Sequence, residues 1–334
     1  MIFVDGVPVT TSHGRRGEIL SSLLENPTLL SALERFKSAP AMTLPGSEPV
    51  KHVYVFQKEY ATVDPALVQF VGTDEATTCV GLVIRNRKTG MTSVSHMDSG
   101  GIVDMGLTQM LSLVVDREVD SALDVHLIGG YQDAYHDLVN GTHEPTRKPG
   151  GFSLPLCSNI IETMQNRQEK FHIRTLCILG HNTRYTSNGI PLPIISGFLV
   201  DTTSGLVIPA SFNRRSRCPD EVVRRVRVSV SYEDPSWKGR LLETYDTRHD
   251  IFQIAPCTWS SEWGKIAFSL QQYSDSEILL ECSTSPSAES PDFVKNERRV
   301  WSYLMNHPDW RQTFLGRKPR VFERTISGEW LQSE

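Results

Sequence analysis

The sequence predicts an α+β fold. Strand-like and helix-like segments mingle along the chain of 334 residues without the regular βαβ spacing of a wound parallel sheet. Two β-rich runs flank a short glycine-containing turn and read as a hairpin. No internal repeat or low-complexity tract interrupts the pattern, so solenoid and fibrous architectures are set aside.

The elements follow in order. Glu18–Ser38 carries Leu20, Leu23, Leu24, Leu29, Leu30, Leu33 and Phe36 at helical spacing, and Asn26-Pro27 divides it into two amphipathic helices. Ala39–Val50 holds Pro40, Pro45 and Pro49 among small residues and reads as a connector. His52–Gln57 and Leu67–Val71 are predicted strands. The hairpin runs are Cys79–Asn86 (CVGLVIRN) and Met91–His96 (MTSVSH), joined by Arg87-Lys88-Thr89-Gly90. Ser99-Gly100-Gly101 makes a corner before a helix over Ile102–Asp116. Leu123–Ile128 is a strand closed by Gly129-Gly130, and Tyr131–Leu154 a long surface excursion. Leu156–Phe171 has helical periodicity and His172–Leu179 strand character. Further strands are expected at Leu192–Val200, Gly205–Ile208, Val226–Ser231 and Asp250–Ile254. Ser290-Pro291 reads as a helix N-cap with proline at the first helical position. Phe293, Val294, Val300, Trp301 and Leu304 then line a stripe ending near His307-Pro308. This divides the chain into a peripheral helical segment, 1–50, and one catalytic domain, 51–334.

Composition narrows the function. Hydrophobic residues make up 39% and charged residues 22%, as in soluble globular proteins. A net charge of -5 argues against a general nucleic-acid binder. No apolar run approaches the ~18 residues of a membrane span. The start, MIFVDGVPVT, lacks the basic region of a signal peptide. Six dispersed cysteines with no CxxC pair fit reduced thiols of the cytosol or nucleus. Ten scattered histidines show no HExxH or zinc spacing, so no metal site is expected. There is no P-loop, GxGxxG or GxSxG, and no cofactor is expected.

What remains is a thiol, an imidazole and a hydroxyl. A cysteine attacks carbonyl carbon as thiolate and is mostly protonated at neutral pH unless a base relieves it. If Arg85 pairs with Gly90 across the turn, the ladder sets Cys79 opposite His96, with β-carbons about 4.5–5.5 Å apart. A slip by two leaves them diagonal on one face, while an odd-length loop would separate them. Thr73 could accept from the imidazole and hold its tautomer, and Asp98, two residues past His96, is a rival for that role. Backbone N–H groups near Thr78 and Cys79 could form an oxyanion hole. Asp74 and Glu75 could bind a substrate ammonium, and Ser211 could line the pocket.

Each residue has a plainer reading. A cysteine taken alone is more often a buried inert thiol, and a histidine a satisfied or surface one. Asp98 beside a Ser-Gly-Gly turn can be turn chemistry. Acidic residues in a polar loop are usually solvated, and a serine at a strand end is usually only that. Arg214, Arg215, Arg217, Arg224, Arg225 and Arg227 could contact phosphate or RNA. A solvated face with Asp220 and Glu221 as partners is the commoner outcome. Trp259, Trp263 and Phe268 could wall the pocket, though core packing is the usual fate of such side chains.

At DEATTC, SHMD, LDVHLIGGY, SFNRR, STSP and FVKNERRVWSYLMNHP the chain resembles the protein N-terminal asparagine amidohydrolases, from about Val53 to Phe322. More distantly, the Thr–Cys–His order resembles chemotaxis-receptor glutamine deamidases and cytotoxic necrotizing factor toxins. The resemblance implies a layered α-β-β sandwich with mixed and antiparallel sheets. It also implies a triad of Cys79, His96 and Thr73, with threonine where animal relatives carry serine. It implies deamidation of N-terminal asparagine to aspartate, feeding arginylation and ubiquitin-dependent turnover. The partners would be proteins with a free N-terminal Asn, not nucleic acid or membrane. The rival readings are an amidase for glutamine or internal residues on the same scaffold, and a non-enzymatic RNA or partner binder.

Overall fold

A computed structural model describes residues 1–10, 17–44, 50–115, 122–133 and 151–333. The excursion expected over Tyr131–Leu154 therefore falls largely outside the described residues, at 134–150.

The strand Val80–Asn86 is buried along almost its whole length, which is why its sequence does not alternate apolar with polar. It sits inside an eight-stranded mixed sheet. The order is Leu242–Glu243, Glu59–Val63, Thr92–Met97, Val80–Asn86, Leu123–Tyr131, Phe171–Leu179, Ile2–Val4, Val7–Pro8. One face sends Leu82, Ile84 and Leu127 against Leu107 and Met110 of the helix Val103–Val114 and Ile160 and Ile161 of the helix Ser153–Gln165. The other face sends Val83 and Val94 into a core shared with Val71, Phe198 and Val200. Those three belong to a five-stranded sheet, ordered Met42–Leu44, Val207–Phe212, Phe198–Asp201, Phe70–Thr73, His52–Tyr54. A four-stranded antiparallel sheet (Tyr245–Asp246, Ile251–Ile254, Arg320–Arg324, Trp330–Gln332) and helices Glu262–Leu270, Asp275–Cys282 and Phe293–Asn306 extend that core. The fold is α+β, with helices and a second sheet on opposite faces of the large sheet. Among the described residues no helix is long and apolar enough to cross a membrane.

The helix pair divides at Pro27 as expected, and the Asn26 side chain accepts from the N–H groups of Thr28 and Leu29. The connector before residue 50 contains a strand, Met42–Leu44, whose register follows its pairing with Ala210–Phe212 rather than its own propensity. The C-terminal helix starts at Phe293, after Ser290. The Ser290 hydroxyl bonds the Asp292 side chain, so this serine makes a local turn bond instead of the expected cap.

Val226–Ser231 is not a strand. It belongs to the helix Glu221–Val230, because Val223, Val226 and Val230 fall on one buried stripe and override β-branched propensity. The helix also corrects the expected solvated arginine face. Arg224 and Arg227 are wholly buried and Arg217 is 5% exposed. Arg224 grips Glu59 through Nε (3.2 Å) and Nη2 (2.6 Å) and donates to the Tyr54 carbonyl at 2.6 Å. Glu221 is a local partner as expected, pairing with Arg214, Arg225 and Arg299, whereas Asp220 pairs with Arg320.

Candidate active site

Thr73 ends a strand of the five-stranded sheet, and His96 lies on the strand Thr92–Met97 of the other. The two sheets approach closely here because Gly81, between them, has no side chain. A β-carbon there would fall 2.2 Å from Phe198 Cε1 and 3.3 Å from Thr73 Cγ2. Across this gap Thr73 Oγ1 lies 2.8 Å from His96 Nδ1. The Thr73 hydroxyl also reaches the Asp74 carbonyl at 3.4 Å. A carbonyl can only accept, so with the hydroxyl hydrogen turned there the oxygen is free to take an Nδ1–H. In that tautomer Nε2 is the bare nitrogen, and it is buried with no hydrogen-bond partner among the described residues.

The hairpin closes with Asn86 N–H donating to Met91 O across Arg87–Gly90. The ladder then pairs Gly81 with His96 and Val80 with Met97. Cys79 is therefore not directly opposite His96; the register differs by two residues from the simple expectation. Cys79 lies in a bend one residue before the strand begins, two positions from Gly81, the partner of His96. Continued through that bend, the ladder would make Cys79 and His96 diagonal neighbours on one face, as a slip by two leaves them. Gly129 makes room for this corner: its φ is +110°, and a β-carbon there would meet Cys79 O at 2.6 Å.

Burial governs the charges. It lowers the His96 pKa to about 3, so the imidazole is neutral at physiological pH. It pushes the Cys79 thiol well above its usual range, and the charges of Asp98 and Glu289 push the same way. The resting pair is a neutral thiol and a neutral imidazole, and Cys79 is 9% exposed.

Asp98 lies within electrostatic reach of the thiol and does not touch Nδ1, whose partner is Thr73. Tyr232 OH and Gln57 Nε2 both donate to Asp98 Oδ2, while Oδ1 is buried without a partner among the described residues. Thr78 Oγ1 lies 2.9 Å from Thr284 Oγ1, and Thr77 Oγ1 lies 2.7 Å from Ser285 Oγ. These contacts seat the STSP segment against the cysteine loop. Glu289, three residues past that segment, was not among the residues expected from sequence, although STSP stood beside it. It accepts from Ser283 Oγ and Ser285 Oγ and bears on the thiol.

Asp74 spends both carboxylate oxygens within the protein, on Tyr54 OH (2.7 Å), Phe212 N–H (2.8 Å) and Arg217 Nη2 (3.0 Å). Glu75, at φ 62°, pairs with Arg217 (2.7 Å) and Arg225 (3.1 Å). Ser211 is exposed and hydrogen-bonds Thr43 on the neighbouring strand. Trp259 is buried in the core and Trp263 packs against it, while Phe268 is 58% exposed.

A profile of the family described as protein N-terminal asparagine amidohydrolase matches residues 43–332. The protein N-terminal asparagine amidohydrolase of Arabidopsis thaliana is 51% identical over 345 aligned residues, covering 99% of both chains. The proteins of the same name from Mus musculus and Sus scrofa are 28% and 29% identical, over 83% and 84% of this chain and 83% of each relative. With the profile spanning most of the sequence and a relative aligned nearly end to end, this chain belongs to the protein N-terminal asparagine amidohydrolase family.

Proposed function

We propose that the protein deamidates asparagine at the N-terminus of proteins and peptides, with Cys79 as nucleophile, His96 as base and acid, and Thr73 as the group that orients the ring. The observation that carries this is the Thr73–His96 bond to a buried, neutral imidazole whose Nε2 has no hydrogen-bond partner among the described residues. His96 Nε2 takes the thiol proton as sulfur bonds to the side-chain carboxamide carbon. The tetrahedral oxyanion is met by backbone N–H groups near Thr78 and Cys79. The imidazolium returns the proton to nitrogen, the C–N bond breaks, and ammonia leaves. Water, deprotonated by His96, then attacks the thioester carbon, the C–S bond breaks, and the proton returns to sulfur. One amide and one water give one carboxylate and one ammonium, and the peptide bond is untouched.

A terminal residue differs from an internal one by its α-amine, which is largely cationic below its pKa near 8. Asp98, with Oδ1 unspent, and Glu289 supply the negative field beside the thiol that would hold it. Asp74 and Glu75 are tied to arginines and shape the loop that carries Cys79. Glutamine, one methylene longer, would misplace the reacting carbon, and an error of about 1 Å can cost about 100-fold. The RNA-binding alternative loses its footing, because Arg217, Arg224 and Arg227 are buried. We assign the layered arrangement to the cysteine deamidase type of sandwich, and the aspartate product to arginylation and ubiquitin-dependent turnover in the cytosol or nucleus.

The test is mass spectrometry of Asn-, Gln- and N-acetyl-Asn-initiated peptides after incubation. Only the free N-terminal Asn peptide is expected to show the amide-to-acid mass gain, with stoichiometric ammonia. Equal turnover of the acetylated or Gln peptide would refute the assignment.

A further inference from the structure

Asp98 is held from one side only. Tyr232 OH donates to Oδ2, Gln57 Nε2 donates to the same oxygen at 3.2 Å, and Oδ1 is buried with no partner among the described residues. Against the Tyr232 ring lies Lys58, whose residue is 1% exposed. Its Nζ stands 3.7 Å from the ring centroid and donates to Ser231 Oγ at 2.8 Å. Lysine is almost never fully buried unless paired. Here its nearest partners are a hydroxyl and an aromatic face, with the Asp98 charge in electrostatic reach beyond them. A cation over the ring draws electron density from it and strengthens the phenol as a donor to carboxylate.

The backbone points the same way. Lys58 has φ 63°, the left-handed region that L-residues other than glycine enter at a cost. Its N–H donates to His96 O at 2.8 Å, and its carbonyl accepts from Leu242 N–H at 2.8 Å. One strained residue thus pins the backbone of His96 and the ring that pins Asp98.

We propose that Lys58 and Tyr232 are positioning residues for substrate selection, holding Asp98 so that Oδ1 is presented to the α-ammonium of the substrate. This rests on the N-terminal asparagine reading above. Tyr232 is 55% exposed, so its hydroxyl can be removed without opening a core cavity.

The experiment is steady-state kinetics of the full chain with free and N-acetylated Asn peptides. Tyr232→Phe is expected to raise KM for the free peptide about tenfold, the scale of one misaligned charge-assisted bond. It is expected to leave kcat within about threefold and to shrink the preference for the free amine by the same factor as KM rises. Lys58→Met should reproduce that pattern, and Lys58→Arg should retain most of the wild-type preference. The double variant Lys58→Met/Tyr232→Phe should be no worse than the worse single, because both act through one carboxylate. An active wild type with unchanged KM and preference in Tyr232→Phe overturns this inference alone. A fall in kcat with KM unchanged also overturns it, by placing Tyr232 in the chemistry. A wild type that leaves the Asn peptide intact sinks the activity and this inference together.

Discussion

Replacing Thr73 by valine tests the core of the proposed site. Valine keeps the β-branched shape, so the packing beside Gly81 and Phe198 is preserved while the hydroxyl is lost. The 2.8 Å bond to His96 Nδ1 disappears inside a region where Thr73 is 0% and His96 2% exposed. With Thr73 wholly buried on the Nδ1 side, the N–H there is left unsatisfied, at about 1–3 kcal/mol. The ring can avoid that cost by moving its proton to Nε2, but it then ceases to be the base that the thiol needs. Either route weakens the reaction by about 1–3 kcal/mol, or roughly 5- to 150-fold in kcat. KM should change little, because the hydroxyl does not meet substrate. The assay is ammonia release from an Asn-initiated peptide, with thermal unfolding measured in parallel. Thr73→Ser restores the oxygen and should keep activity within a few-fold of wild type. Wild-type turnover by Thr73→Val, or equal losses for valine and serine, would refute the orienting role of the hydroxyl.

Further outcomes follow from the same geometry. Cys79→Ala should abolish ammonia release with an unchanged circular-dichroism spectrum, and residual turnover would remove Cys79 from the chemistry; His96→Ala should cost more than Thr73→Val in the same assay. With His96 near 3, the ring is already neutral from pH 5 upward, so kcat/KM should show no acid limb from this histidine above about pH 4; it should fall above about pH 8 as the substrate amine loses its proton. Gly81→Ala would force a carbon to within 2.2 Å of Phe198 Cε1 and should destabilise by about 1–3 kcal/mol in urea unfolding, with activity falling as Thr73 is displaced. Arg224→Met would strip Glu59 of its close ion pair where both side chains are 0% exposed, leaving the Phe56 N–H (3.0 Å) and the longer Arg227 contact (3.9 Å), and should cost about 3 kcal/mol by the same measurement, far more than the exposed Arg215→Met.

Most strands and helices could be read from the chain because their determinants are local. The proline at 27 splits a leucine stripe, and Gly90 closes a four-residue turn. Val226–Ser231 was misread because β-branched residues favour strands in isolation, whereas the helix Glu221–Val230 is stabilised by burying one stripe against the core. The short strand Met42–Leu44 has no propensity signal, since its pairing partner lies more than 160 residues away.

The candidate site divides along the same line. The residue types and their order, a threonine before a cysteine and a histidine after it, stand in the primary sequence, and motifs such as DEATTC, SHMD and STSP suffice for the family. Their geometry does not, because Thr73 and His96 belong to different sheets and meet only where Gly81 lets those sheets close. The register was open by two residues until the turn bond from Asn86 to Met91 closed the loop. The charge states are tertiary as well, for dehydration acts on a group only once other segments surround it. Glu289, Lys58 and Tyr232 come from distant parts of the chain, and side-chain chemistry alone cannot distinguish a carboxylate, an amine or a phenol in solvent from one packed beside a thiol.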